Sequence, residues 1–154
     1  MEPRLTPTFF QIIATDYFAQ NLFIMIFGPW VIYLINFLIE GERVIFLIFI
    51  AALCTLVGGV AFPWRYWTIT STFEHGVEIA GLIVDIHTVS TGKKRKDYIL
   101  DYEYDFAGQT YQYRNRVKKS SFARDLKNRQ RVILLVNPGK PNIAFIKDIY
   151  LRQL

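Results

Sequence analysis

Two histidines, one cysteine and a short row of acids are the residues that could carry chemistry in this 154-residue chain. His75 or His87 could act as a general base or a metal ligand, and His87 shares a strand face with Asp85. A zinc site takes four protein ligands, or three with water, and this pool does not fill one. Glu74 and Glu78 beside His75 are solvent-type neighbours, so His75, next to Gly76, reads as the start of a strand. Cys54 falls inside a long apolar run, where a thiolate is disfavoured; it is expected to pack rather than react. A single cysteine also excludes an intramolecular disulfide. Asp101, Glu103 and Asp105 alternate along one strand face. A glycosidase pair or a Mg²⁺ site needs acids that converge, whereas these read as a salt-bridged surface with Arg114 as a partner. There is no phosphate-binding glycine loop, and Gly58-Gly59 lie in an apolar run. Without a nucleophile–base constellation the residues point away from an enzyme, and no cofactor, metal or small-molecule substrate is expected.

The elements that would position these residues fall into two unlike halves. Residues 1–62 hold two basic and four acidic side chains; residues 63–154 hold 16 basic and nine acidic. Leu22 to Ile39 is a charge-free run of 18 residues, and Val44 to Phe62 is another of 19. At 1.5 Å per residue each can cross a hydrocarbon core of about 30 Å. The short connection Glu40-Gly41-Glu42-Arg43 forces an antiparallel helical hairpin. No basic region and no small-residue cleavage site mark the first run as a signal peptide.

Four segments follow: an amphipathic or interfacial stretch 1–21, a transmembrane hairpin 22–62, an interfacial linker 63–72 and a basic β-domain 73–154. Trp64, Arg65, Tyr66 and Trp67 are expected at the headgroup level. Pro29, after Gly28, should kink the first helix. Ala51, Thr55 and Gly59, spaced by four, should face the first helix across the hairpin seam. The acidic loop and basic domain favour an integral protein of the bacterial inner membrane with both termini and the β-domain in the cytoplasm.

Past Trp67 the period shifts to that of strands. Val77 to Val89 is the first, with Gly81 marking a bend or bulge. Tyr98, Leu100, Tyr102, Tyr104 and Phe106 alternate with polar residues, Ala107-Gly108 turns, and Gln109 to Val117 returns. A two-residue loop sets Tyr104 opposite Tyr111, Tyr102 opposite Tyr113, Asp101 opposite Arg114 and Asp97 opposite Lys118. A one-residue slip would move every side chain to the wrong face. Arg131 to Val136 and Ile143 to Ile149 are two more strands around the Asn137-Pro138-Gly139-Lys140-Pro141 turn. The fold class is therefore a two-helix membrane hairpin plus a small antiparallel all-β domain, a barrel or sandwich of about five strands.

The hairpin, the run Phe73-x-His75-Gly76-Val77, the strand through Gly81, Tyr102-x-Tyr104-x-Phe106-x-Gly108, and Val132-x-Leu134-x-Val136-Asn137-Pro138-x-x-Pro141 together form a pattern. It resembles a widespread bacterial family of membrane proteins of unknown function. The resemblance covers roughly residues 44–150 and implies one or two helices followed by a small β-domain. It brings no catalytic residues. Val136-Asn137 stands where the family tends to have Tyr-Asp, and Gln130 where a glycine is usual.

Two functions are expected from different classes. The first is a non-catalytic accessory or structural subunit, its hairpin docked among other subunits of a membrane complex and its β-domain on a partner protein. The alternative is a membrane-tethered binding module for an anionic ligand, either nucleic acid or anionic lipid. Aromatic rows among basic residues suit stacked bases, but tethering disfavours nucleic acid; membrane lipid and other subunits of a membrane complex are the expected partners. Lys93, Lys94, Arg95, Lys96, Arg116, Lys118 and Lys119 should gather at one hairpin tip. With the first strand running away from the bilayer, that tip is expected to be distal and to dock an acidic partner protein.

Overall fold

The computed structural model describes residues 5–40, 44–90, 96–118 and 125–151. Helix α1 (Phe9–Thr15) opens with a capping box in which Thr8 Oγ1 accepts from the Gln11 amide and Gln11 accepts from the Thr8 amide. It breaks at one extended residue, Asp16, and α2 (Tyr17–Glu40) follows. Asp16 caps the new helix by accepting the Ala19 amide at 2.8 Å. Helix α3 runs from Ile45 to His75 without interruption, through Pro63. Both α2 and α3 are long and apolar enough to cross a bilayer, and they pack as an antiparallel pair.

The continuity of α3 changes the expected layout. Residues 63–72 are not a linker; they extend the second helix by about 15 Å past Phe62. Trp64 and Trp67 stay exposed on the outer side, whereas Arg65 and Tyr66 turn inward. Tyr66 stacks on Phe62, and Phe9 of α1 sits at 5.8 Å from Phe62 and 5.9 Å from Phe23. The N-terminal segment thus folds back on the hairpin, and its Ile12 is fully buried.

The seam between the long helices also differs. Ala51 is fully buried there, and Thr55 Oγ1 donates to the Ile26 carbonyl at 3.1 Å while accepting from Trp30 Nε1 at 2.7 Å. Gly59, however, has nothing within 4 Å of the position a Cβ would take; the seam glycine is Gly58, whose Cβ would meet Ile26 Cγ1 at 2.8 Å and the Leu22 carbonyl at 2.9 Å. Two successive steps of four drift about 80° round a helix at 100° per residue, whereas the steps 51, 55, 58, 62 stay on one stripe.

Five antiparallel strands follow: β1 (Val77–Ser90), β2 (Lys96–Phe106), β3 (Gln109–Lys118), β4 (Arg131–Asn137) and β5 (Lys140–Ile146). They form one sheet in the order β3-β2-β1-β4-β5, curled nearly into a barrel. The β2–β3 register is the one the aromatic and charge pairs require: Tyr104 faces Tyr111, Tyr102 faces Tyr113, Asp101 faces Arg114 and Asp97 faces Lys118. Ala107 (φ 50°) and Gly108 (φ 79°) both take positive φ, the requirement of a two-residue turn matched to the sheet twist.

The bulge in β1 falls at Val84, between the rungs Ile83↔Tyr102 and Asp85↔Asp101. Gly81 is instead paired on both sides, and glycine is needed there because a Cβ would strike Leu134 and approach the Glu103 carbonyl at 3.2 Å. The last strand begins and ends earlier than its apolar pattern suggests: Lys147–Leu151 is a short helix, α4.

The concave face of the sheet holds the core. Ile69 and Phe73 of α3, Ile12 of α1 and Tyr150 of α4 pack against Ile83, Leu100, Tyr102, Leu134, Val136 and Phe145. Where β2 and β5 approach without a ladder, tyrosines bridge them: the Tyr102 hydroxyl donates to the Ala144 carbonyl at 2.5 Å and that of Tyr104 to the Pro141 carbonyl at 2.7 Å. Burial holds the Tyr102 and Tyr150 phenols well above their ordinary range, and Tyr104 is pushed up to about 12.

Candidate functional site

Asp16 and Arg65 are the charges that bound the two apolar runs at their shared end, and the structure joins them. Arg65 Nη2 lies 2.6 Å from Asp16 Oδ2, and Arg65 Nε donates to Oδ1 at 3.3 Å. Asp16 is fully buried and the Arg65 side chain is 13% exposed. The Tyr150 hydroxyl donates to Asp16 Oδ2 at 2.8 Å and itself accepts from Asn115 Nδ2 at 3.2 Å. The guanidinium sits 5.2 Å from the Phe145 ring and 5.9 Å from Phe18. With the Ala19 amide, Asp16 therefore receives charge-assisted bonds from α2, α3 and α4, and the network reaches β3 through Asn115. Its chemistry is cohesion: every polar partner is internal, and the network ties the hairpin to the sheet.

β3 reinforces this junction. Val117 forms a backbone bridge with Asp16, and Arg116 Cζ stands 3.6 Å from the centre of the Tyr17 ring while its Nη2 binds Asp97 Oδ2 at 2.8 Å. Tyr17 is the first residue of α2, so the end of β3 lies beside the polar end of the hairpin. The rungs Asp97↔Lys118 and Ser90↔Lys96 place the β1–β2 end there too. This reverses the expected direction. Because α3 carries the chain outward as far as His75, β1 returns towards the hairpin, and the Ala107–Gly108 turn is the distal one. Of the expected basic tip, Arg116 is a junction residue and Lys118 follows it; Lys93, Lys94, Arg95 and Lys119, and the side chain of Lys96, lie outside the described residues. Arg65, placed by sequence at the headgroups, is interior, while Trp64 and Trp67 keep the outward position.

His87 and the carboxylate candidates sit on the outer sheet face, whereas His75 does not start a strand: it is the last residue of α3, which runs on through it to the Gly76 cap. His87 Nε2 lies 3.1 Å from Asp85 Oδ2 and 3.9 Å from Asp101 Oδ2, across the Asp85↔Asp101 rung. Both Asp101 oxygens are taken by Arg114, at 2.6 and 2.8 Å, and this hydrogen bonding holds the Asp101 carboxyl below the usual carboxylate range. Asp105 accepts from Thr110, and exposed His75 stands 3.9 Å from Glu74. Among the described residues no group of three or more His, Cys, Asp or Glu has metal-holding geometry. A 380 Å³ depression beside Asp101 and Arg114 is open to solvent and lined by Val84, Gln112, Tyr102 and Tyr113.

Sequence reasoning missed the Asp16 network. Two signals could have found it: Asp before a 24-residue helix is a capping residue, and an antiparallel hairpin puts the charges that end its two runs at one level.

Among known families, the one described as Domain of unknown function (DUF3592) matches residues 69–148. No curated protein and no solved structure matches the chain.

Proposed function

The chain belongs to the DUF3592 family, and from that premise we propose that it is a non-catalytic accessory subunit of a membrane assembly, its hairpin docked among other membrane helices and its β-domain bound to a partner protein. The observation that carries this reading is the Asp16–Arg65–Tyr150–Asn115 network. A receptor on a flexible linker samples many heights and angles, whereas here a continuous helix and a buried ion pair hold the β-domain in one pose on the hairpin. A fixed pose suits a subunit that fills a defined place. The outer faces of α2 and α3 remain apolar along their length, with Leu34, Ile35, Leu38, Phe49, Leu53 and Leu56 exposed and Gly59 open to close approach.

In this reading the protein sits in a bacterial inner membrane with termini and β-domain cytoplasmic, and a C-terminal reporter fusion should behave as cytoplasmic. Purification of the full chain from its own membranes in mild detergent tests the main claim. A stoichiometric complex that Gly59→Leu weakens supports it; recovery as a monomer that Gly59→Leu does not alter contradicts it.

The second reading, a membrane-tethered module for an anionic ligand, is supported by one observation: the end of β3 that carries Arg116 lies at the polar end of the hairpin.

A further inference from the structure

The outer face of the sheet carries an acid and a base on one rung, one to each side of β1. Leu82 pairs with Glu103 of β2 and with Arg131 of β4. Residues opposite one another on neighbouring strands share a face, so Glu103, Leu82 and Arg131 form a row across three strands. Two strand spacings set the Cα atoms of the acid and the base about 10 Å apart. Neither side chain takes a polar partner among the described residues, whereas close by Asp101 holds Arg114 and Glu78 holds Lys147. Both line an open depression of 580 Å³ over Ala80, Gly81 and Leu82. Ala80 and its rung partner Ile133 are exposed beside the row. The pattern is an apolar centre on β1, with negative charge to one side and positive charge at the same height on the other.

We propose that this face binds a second copy of the chain, closed by two reciprocal Glu103–Arg131 pairs over the Ala80–Leu82 centre. A two-fold axis along β1 through Leu82 maps the pattern onto itself. It sets Glu103 against the partner's Arg131 and Arg131 against the partner's Glu103, while Ala80 and Leu82 meet their own counterparts. Two-fold assembly of like chains requires this self-complementarity. A foreign partner would have to match two unpaired charges of opposite sign at a set spacing; a second copy does so by symmetry. The axis also suits the membrane. β1 starts beyond the outer end of α3, and its last rung lies beside Asp16 and Tyr17. An axis along β1 therefore runs with the hairpin and leaves both copies upright in one bilayer. Sharing a bilayer raises the effective concentration, so a face smaller than the roughly 800 Å² per partner of a soluble complex suffices. The inference goes beyond the assembly reading, since it needs no protein other than this chain.

The test uses the pure full chain in phosphatidylcholine vesicles, with donor or acceptor dye on Gln109→Cys in a Cys54→Ala background. Energy transfer between labelled copies reads association as the protein-to-lipid ratio is varied. The native charge pattern should give transfer well above that of randomly placed labels. E103R alone, or R131E alone, sets like charges at both contacts and should weaken association about tenfold. Mixing the two single variants should restore it, because each chain then meets opposite charges at both contacts. E103R/R131E on one chain should restore it as well. Recovery on mixing also shows that each variant is folded. Random-level transfer for the native pattern, single reversals that leave transfer unchanged, or a mixture that stays dissociated overturns the proposal. Transfer that Gly59→Leu abolishes and neither reversal alters also overturns it, and assigns association to the helices. No foreign protein is present in these vesicles, so the result is independent of the assembly reading.

Discussion

Arg65 Nη2 lies 2.6 Å from Asp16 Oδ2, closing a buried ion pair between residues 49 positions apart. Removing one member of a buried pair leaves a stranded charge and costs about 3–5 kcal/mol, whereas replacing both is far milder. Arg65→Met should lower unfolding stability in detergent by that amount. The double variant Asp16→Asn/Arg65→Met should lose clearly less than the sum of the two single losses. Additive losses in a double-mutant cycle would show that the pair is not coupled.

The seam makes a sharper contrast. Gly58→Leu should destabilise the hairpin by about 1–3 kcal/mol through overpacking against Ile26 and the Leu22 backbone. Gly59→Leu should leave the isolated protein within about 0.5 kcal/mol of wild type. Thermal unfolding of the two variants in the same detergent decides it, and the reverse order would put the wrong glycine on the seam.

The hairpin register of β2 and β3 was legible because each rung carries a chemical preference: Tyr104 against Tyr111, and Asp101 against Arg114. The direction of the domain was not legible. It depends on whether α3 stops at Phe62, and Pro63-Trp64-Arg65 looks like a stop when read locally. Pro63 nonetheless lies inside the helix, which continues because its inner face (Arg65, Ile69, Phe73) is buried against the sheet and α4, contacts that no local pattern announces. The Asp16 network was hidden for the same reason: its four members are scattered from residue 16 to residue 150.

The Ala107 turn can be improved. An alanine at φ 50° carries a left-handed penalty of about 1–2 kcal/mol that asparagine reduces. Ala107→Asn should raise stability by about 0.5–1 kcal/mol in chemical denaturation, with no change in register. A loss on substitution would mean that the turn does not need positive φ at its first position.

Tyrosine titration gives a pH test. The folded-state value of Tyr104 is raised to about 12, above an ordinary phenol near 10, and Tyr102 and Tyr150 are raised as well. Their stabilising contribution is fully present below pH 10 and is lost as pH rises through the folded-state values. Absorbance near 295 nm should leave at least these three phenols unionised at pH 11, with unfolding setting in above that. Full ionisation of all nine tyrosines by pH 11 in a protein that is still folded would contradict the packing described.

β1 returns to the hairpin, so that the end of the sheet marked by the Ser90↔Lys96 rung lies beside Asp16 and Tyr17 and the Ala107–Gly108 turn lies at the other end of β2 and β3. Spin labels at Ser90 and at Gln109, in a Cys54→Ala background, read this directly. Gln109 and Lys118 are the two ends of the 10-residue β3, about 30 Å apart along an extended strand. In vesicles containing a nickel-chelating lipid, the label at Ser90 should relax strongly and the label at Gln109 only weakly. Stronger relaxation at Gln109 than at Ser90 would contradict the account.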